Sequence, residues 1–165
     1  MVARLARNVA GPRSDLDDIV QEVFIQVLRS IGSFQGESKF TTWLYRLTVN
    51  VTLQYVKARR NRVMPYLQVE ESRDLKAASP SPEIEAWDRE RWSILSGILD
   101  TLPEKKRVVF VLHEIEGLDA GEIAGVLGIP TLTVRTRLFY ARREVYDRLA
   151  RNPDLLAGMR GGGMS

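Results

Sequence analysis

The side chains of this 165-residue chain that could do chemistry are mainly cationic and aromatic, and they fall into two separated groups. In the first, the loop Phe34-Gln35-Gly36-Glu37-Ser38-Lys39-Phe40 runs into Thr41-Thr42-Trp43-Leu44-Tyr45-Arg46, so that polar and aromatic residues alternate. Such a surface can stack an unpaired base on an aromatic face, at ~1 to 3 kcal/mol per base, while nearby cations hold phosphates. Trp43 and Leu44 lie on an apolar stripe and are expected in the core, whereas Phe34 and Asn50 are less easily placed there. Lys57, Arg59, Arg60 and Arg62 follow as four bases within six positions, with no acid among them. The second group comprises Thr133, Arg135, Thr136, Arg137, Phe139, Arg142 and Arg143.

Other chemistry is sparsely provided. His113 is the one histidine, it sits in an apolar stretch, and no cysteine or second histidine exists to pair with it, so a structural role is expected. Asp17 and Asp18 suit a helix N-terminus better than a metal site, because no further acids are spaced to complete a hard-cation shell. Gly161-Gly162-Gly163 lacks the lysine and following helix of a phosphate-binding loop. Neither an enzyme nor a cofactor is expected.

The elements that must position these groups read as helices throughout. Val2, Leu5 and Val9 share a helical face that Gly11-Pro12 ends. Ser14 and Asp17 suggest a cap for a second helix, with Leu16, Ile19, Val20, Val23, Phe24, Val27, Leu28 and Ile31 as a broad apolar face opposite Asp17, Asp18, Gln21, Glu22 and Gln26. Phe40, Trp43, Leu44, Leu47 and Val51 set up a third, which ends in the basic cluster. A further helical block is expected from near Glu85, and Thr101, Pro103 and Glu104 predict a capped start for the next helix, ended by Gly117.

Residues Asp119 to Arg143 read as a helix-turn-helix. Asp119 caps a helix with Ile123, Val126 and Leu127 on one face, and the small Ala124 leaves room for close approach. Gly128 suits the left-handed residue that ends it, Thr131 is expected to cap the next helix, and Val134, Leu138 and Ala141 form that helix's apolar side.

The fold class predicted is all-α: a helical domain over residues 1–62, a flexible linker over 63–86, a helix-turn-helix domain over 87–152 and a flexible tail over 153–165. Between Gln68 and Glu90 seven acids face three bases, a net charge of minus four, so an acidic span separates two basic ones. At ~3.3 Å per residue the linker could bridge up to roughly 80 Å. Each domain is small enough to be marginal alone. The total charge is +3 and there is no cysteine. The longest apolar run, VVFVL at 108–112, is far too short to span a bilayer, and the first eleven residues lack the apolar core of a signal peptide. A cytoplasmic protein with no membrane insertion is expected.

Two blocks in this order resemble the sigma factors of the extracytoplasmic-function group, the dissociable promoter-recognition subunits of bacterial RNA polymerase. DLDDIVQEVFIQVLRSIGSFQGESKFTTWLYRLTVN resembles the family's second region and LPEKKRVVFVLHEIEGLDAGEIAGVLGIPTLTVRTRLFYARREV its fourth. The resemblance implies that Asp18, Gln21 and Glu22 dock on the polymerase clamp, and that Leu102 to Leu112, Leu102 and Val109 among them, pack near the flap. It implies that the loop Phe34, Gln35, Gly36, Glu37, Ser38, Lys39 and Phe40, with Asn50, captures a base flipped from the minus-ten element. Lys57, Arg59, Arg60 and Arg62 would hold that strand's backbone. Thr133, Arg135, Thr136, Arg137 and Phe139 would face the minus-thirty-five element. It further implies that the linker runs through the RNA exit channel, and that an anti-sigma factor masks the polymerase-binding faces.

The chain departs from the family pattern in three places. The family usually has a further stretch before Val2, Leu132 stands where glycine is common, and Tyr140 stands where a basic residue is common. Two rival readings are a stand-alone dimeric helix-turn-helix repressor, which leaves the first sixty residues without a task, and an RNA-binding or nuclease-like enzyme, which lacks a catalytic constellation.

Overall fold

The computed structural model of the protein describes residues 1–11, 15–63 and 92–151, with side chains for all of these except 60–63. Among the described residues every regular element is helical. Helix α1 (Val2–Ala10) buries Leu5, Ala6 and Val9, and Gly11 ends it at φ 80°. That backbone is the left-handed kind that favours glycine, and a Cβ there would lie 2.5 Å from Asp100 Oδ1. Gly11 thus lets the end of α1 abut a later part of the chain.

Helix α2 (Leu16–Ser30) leads through a 3₁₀ turn (Ile31–Ser33) into the aromatic loop. The expected cap falls on Ser14, which lies outside the described residues; the N-cap residue of the described helix is Asp15, whose side chain makes no capping bond. Asp15 Oδ2 instead lies 2.6 Å from Arg59 Nη1 on helix α3 (Phe40–Val63). The broad apolar face of α2 is also narrower than predicted. Leu16, Ile19 and Val23 are buried, but Phe24, Leu28 and Ile31 are 53%, 77% and 47% exposed. Among the described residues α1 and α3 are the helices that pack most extensively on α2, and they reach one stripe of it.

Residues 92–100 form α4, whose expected beginning near Glu85 lies outside the described residues. Helix α5 (Glu104–Phe110) starts after Pro103, with no side-chain cap. Thr101, predicted to cap it, donates its hydroxyl to the Ile98 carbonyl at 2.5 Å, so proline's fixed φ rather than a threonine cap sets the start. A π turn (Val111–Ile115) comes next, and the Glu116 N–H donates to the Val111 carbonyl five residues back. Helix α6 (Ala120–Leu127) has the capping box expected of Asp119: its carboxylate accepts from the Gly121 and Glu122 amides, and Glu122 accepts from the Asp119 amide. Gly128 at φ 64° makes the predicted turn. Helix α7 (Thr131–Leu149) begins after Pro130, so Thr131 is its first residue and not, as expected, its cap.

One core unites α4, α5, the π turn, α6 and α7 around Leu99, Val109, Leu112, Ile123, Val134 and Val145. Leu5 and Val9 of α1 and Val49 of α3 belong to that same core. The two helical regions, read from the sequence as two domains joined by a linker, therefore pack on each other. Small helical units bury too little surface alone, and sharing a core removes that deficit. Two smaller clusters lie wholly inside the first region, one around Ala6, Leu16, Ile19 and Val56 and the other around Val2, Val23 and Val51. The linker residues 64–86 and the tail from 153 onward lie outside the described residues.

Candidate nucleic-acid interface

The loop between the 3₁₀ turn and α3 is closed by its own aromatic ends. Phe34, Phe40 and Trp43 form a three-ring cluster with centroids 5.5 to 5.8 Å apart, edge-on between Phe34 and Phe40 and tilted in the other two pairs. Gly36, at φ 75°, turns the chain between them. Trp43, expected in the core, is half-buried within this cluster, while Leu44 does pack against the Val2, Val23 and Val51 cluster as predicted. Gln35, Gly36, Glu37, Ser38, Lys39 and Phe40 are all exposed. The loop thus offers an open aromatic face ringed by polar groups, the arrangement that base stacking requires.

Helical geometry extends this surface along α3. Trp43, Asn50 and Lys57 are seven residues apart and share a face, about 21 Å long at ~1.5 Å per residue. Arg46, which closes the stretch read from the sequence, and Gln54, which sequence reading did not assign, fall on that stripe too. Arg46, Asn50, Gln54 and Lys57 are all exposed. Arg59 sits on the opposite side of the helix, and the hydrogen bond and charge of Asp15 raise its pKa further. Lys57 and Arg59 therefore do not face one strand together. The side chains of Arg60 and Arg62 lie outside the described residues.

On α2, Asp18 and Gln21 are exposed and Glu22 is half-buried, accepting from Gln26 Nε2 at 2.8 Å. Asp18 Oδ2 accepts the Tyr55 hydroxyl at 3.3 Å. Burial raises the Tyr55 pKa first, and the Asp18 and Asp15 charges add to it. The exposed Phe24, Leu28 and Ile31 continue the solvent side of α2 beyond Gln21. Sequence reading missed this surface because periodicity marks an apolar face without showing how much of it a neighbour covers.

In the second region, Val134, Leu138, Ala141, Val145 and Leu149 hold α7 to the core and turn its cationic side outward. Arg135, Thr136 and Phe139 lie on the solvent side, and Thr133 and Arg137 flank it half-buried. The Thr136 hydroxyl donates to the Leu132 carbonyl at 2.9 Å. A shallow hollow of about 460 Å³ is lined by Arg135, Leu138, Phe139, Arg142, Arg143 and Tyr146. Arg142 is held by Glu114 at 2.6 Å, so the outermost arginine positions divide into anchored and open ones. Lys106 lies 5.7 Å from the Tyr140 ring, which stands edge-on to Phe139. Leu132, a departure from the family pattern, is 75% exposed. Leu102 and Val109 are buried, at 4% and 0% exposure, and present little surface in this packing. His113 Nδ1 lies 2.7 Å from the Leu118 carbonyl, a structural bond that ties the π turn to the loop before α6. No group of three or more metal-ligating side chains occurs among the described residues, and none of their helices is long and apolar enough to cross a membrane.

A ring-lined loop on one helical region and an outward cationic helix of a helix-turn-helix on another are the architecture of the sigma-70 family. Residues 1–62 match Sigma-70 region 2 and residues 93–145 match Sigma-70 region 4. Within that family the chain belongs to the extracytoplasmic-function group. It is 35% identical over 161 residues to the ECF RNA polymerase sigma-E factor of Haemophilus influenzae, covering 90% of this chain and 85% of that one. It is 35% identical over 162 residues to that of Escherichia coli K12, covering 90% and 84%. With the ECF RNA polymerase sigma factor SigE of Mycolicibacterium smegmatis it shares 37% identity over 151 residues, 92% of this chain but 58% of the longer relative. Among solved structures, the sigma factor RpoE of Bartonella quintana, in complex with the anti-sigma factor NepR, superimposes with a TM-score of 0.73 over 90% of this chain and 89% of that one. At 18% identity this speaks for the fold alone. CnrH, in complex with the cytosolic domain of CnrY, gives a TM-score of 0.64 at 25% identity, over 91% and 80%.

Proposed function

We propose that the chain is a promoter-recognition sigma subunit that directs bacterial RNA polymerase to its start sites, acting in the cytoplasm and without catalysis of its own. The observation that carries this reading is the pairing, in one chain, of an open three-ring loop on α3 with a solvent-facing cationic helix on α7. In our reading Phe34 to Phe40 and Asn50 take a base flipped from the minus-ten element, since stacking can offset the few kcal/mol of extrusion. Lys57 and Arg60 hold its backbone, whereas Arg59, on the opposite side of α3 and paired with Asp15, does not share that strand. Thr133, Arg135, Thr136, Arg137 and Phe139 meet the minus-thirty-five duplex, with Arg135 the best placed to reach a base edge.

Polymerase contact falls to Asp18, Gln21 and Glu22 on α2, joined by the exposed Phe24 and Leu28. Assigning Leu102 and Val109 to the flap requires the packing that now covers them to loosen. Two solved relatives of similar fold are bound to anti-sigma factors or a partner's cytosolic domain, which supports an anti-sigma factor as this chain's inhibitor. The acidic linker fits a groove built for nucleic acid, and its reach of roughly 80 Å at ~3.3 Å per residue exceeds two duplex turns.

Run-off transcription with core polymerase on genomic fragments tests the reading. The chain is expected to direct specific starts and to bind duplex promoter DNA poorly by itself. Exchange of the Phe34 to Phe40 loop is expected to change minus-ten preference while polymerase affinity stays intact. An unchanged preference refutes the loop assignment.

A further inference from the structure

Helix α7 turns an apolar stripe to solvent as well as a cationic one. Leu132, Phe139 and Tyr146 are 75%, 63% and 59% exposed, and each stands seven residues, nearly two turns, from the next, so that the three share a face. That face lies opposite Val134, Leu138, Ala141 and Val145, which hold the helix to the core. Surface leucines scattered singly are ordinary, but one in register with two aromatic rings is patterned. Leu132 is the most exposed of the three and sits in the first turn of α7, from which the core takes Val134 and leaves Leu132 out.

The two halves of the helix differ in what they leave open. In the second half Arg142 is engaged by Glu114. In the first, Arg135 and Thr136 are exposed beside Leu132. The Thr136 hydroxyl donates to the Leu132 carbonyl at 2.9 Å, so its one proton stays within the helix, and on this turn Arg135 supplies the donors for a base edge. The N-terminal part of the second helix of a helix-turn-helix is the part that meets base edges in the major groove. A leucine side chain offers neither donor nor acceptor there. The apolar group that the groove displays is the C5 methyl of thymine, which the other three bases lack. The cations set between the apolar residues favour duplex over a partner helix as the occupant. Arg135 separates Leu132 from Phe139, and Arg142 and Arg143 separate Phe139 from Tyr146, a spacing that suits a groove walled by phosphates better than a continuous apolar seam.

We propose that Leu132 is a specificity residue of the minus-thirty-five contact, selecting thymine at one position by covering its methyl group. This rests on the proposed function and names a residue and a base that it leaves open. Because Arg135 stands between Leu132 and Phe139 along the helix, the selected thymine lies beside the base that Arg135 reads, on the side away from Phe139. Burial of a single methyl group corresponds to about a fourfold change in an equilibrium, enough to bias the choice of base at one position.

Transcription by the full chain with core polymerase, from templates randomised at the minus-thirty-five element, tests the assignment. The parent is expected to favour thymine at the position beside that of Arg135. Leu132→Ala, an exposed change to a good helix former, is expected to lose that preference there alone, and Leu132→Met, which keeps the apolar reach, to retain it. Deoxyuridine in place of the selected thymine removes the methyl and leaves every hydrogen-bonding group of the base pair unchanged. It is expected to lower initiation by the parent about fourfold and to have almost no effect on initiation by Leu132→Ala. A deoxyuridine template as active as the thymine one, a deoxyuridine penalty that persists in Leu132→Ala, or a thymine preference kept by that variant overturns the role of Leu132. Absence of any base preference across the element in the parent overturns the proposed function, and this inference with it.

Discussion

The two helical regions solve the problem of small size in opposite ways. Residues 92–151 close a single core around Leu112, Ile123 and Val134, fix the turn with Asp119 and Gly128, and leave Leu132, Phe139, Tyr140 and Tyr146 exposed among the cations of α7. Residues 1–63 divide their buried side chains between two small clusters and lend three more to the neighbour's core. They also leave Phe24, Leu28, Ile31 and Phe40 in solvent. A region that reads duplex DNA needs a rigid platform, because its arginines must hold a register on base edges. A region that docks on a large enzyme and takes apart a duplex needs uncovered apolar and aromatic surface.

Breaking the rigid side of this contrast should cost most. Ile123→Ala opens a cavity where exposure is zero, and it is expected to lower stability by ~2 to 5 kcal/mol in denaturant unfolding. A loss of under a few tenths would show that the second region is not organised by this core. Next in size, Arg135→Ala is expected to weaken minus-thirty-five-dependent transcription by ~1 to 3 kcal/mol and to relax sequence preference there. A uniform loss across sequences would make Arg135 a phosphate contact instead.

The other region is sharpened by a pair of substitutions that should hardly touch stability. Phe24→Ser with Leu28→Ser removes exposed apolar surface and is expected to change unfolding free energy by no more than about 0.5 kcal/mol per site, as surface changes do. Affinity for core polymerase, measured by fluorescence anisotropy, should fall about tenfold, or ~1.4 kcal/mol. Unchanged affinity would remove that stripe from the docking face.

The smallest effect is a difference in alkaline stability. Burial, and then the Glu116 hydrogen bond and charge, raise the Tyr45 pKa above its ordinary value; Arg4 opposes this and Glu122 adds slightly to it. A group whose folded pKa is raised contributes stability that is complete below its unfolded pKa, near ~10, and is lost as pH rises through the folded value. Tyr45→Phe should therefore flatten part of the stability decline above pH ~10 and leave the neutral range nearly parallel to the parent. Identical alkaline slopes would show that Tyr45 does not titrate in contact with Glu116.

Much of this was legible in the sequence, for reasons that differ by element. The helix-turn-helix was legible because its signals are local: Asp119 three residues before Glu122, Gly128 at a left-handed position, and an apolar stripe from Val134 to Ala141. The aromatic loop was legible as a surface, but Trp43 was assigned by its helical period to the core, when the rings of Phe34 and Phe40 draw it to the loop. Caps at Thr101 and Thr131 were misplaced because the adjacent prolines, Pro103 and Pro130, occupy the N-cap positions. The π turn carries no local composition signal. Its five-residue bond depends on how Leu112, His113 and Leu118 pack. The shared core was hidden for a related reason: periodicity shows that Leu5, Val9 and Val49 face inward, but not which helices they face.

Start-site mapping with purified core polymerase, this chain, and a template library randomised at both promoter elements is the most direct test of promoter recognition. A discrete set of starts is expected that appears only when the chain is added and that demands one preferred sequence at each element, roughly two helical turns apart. Starts identical to those of core polymerase alone would contradict it, as would tight binding of the free chain to a palindromic duplex with no dependence on polymerase.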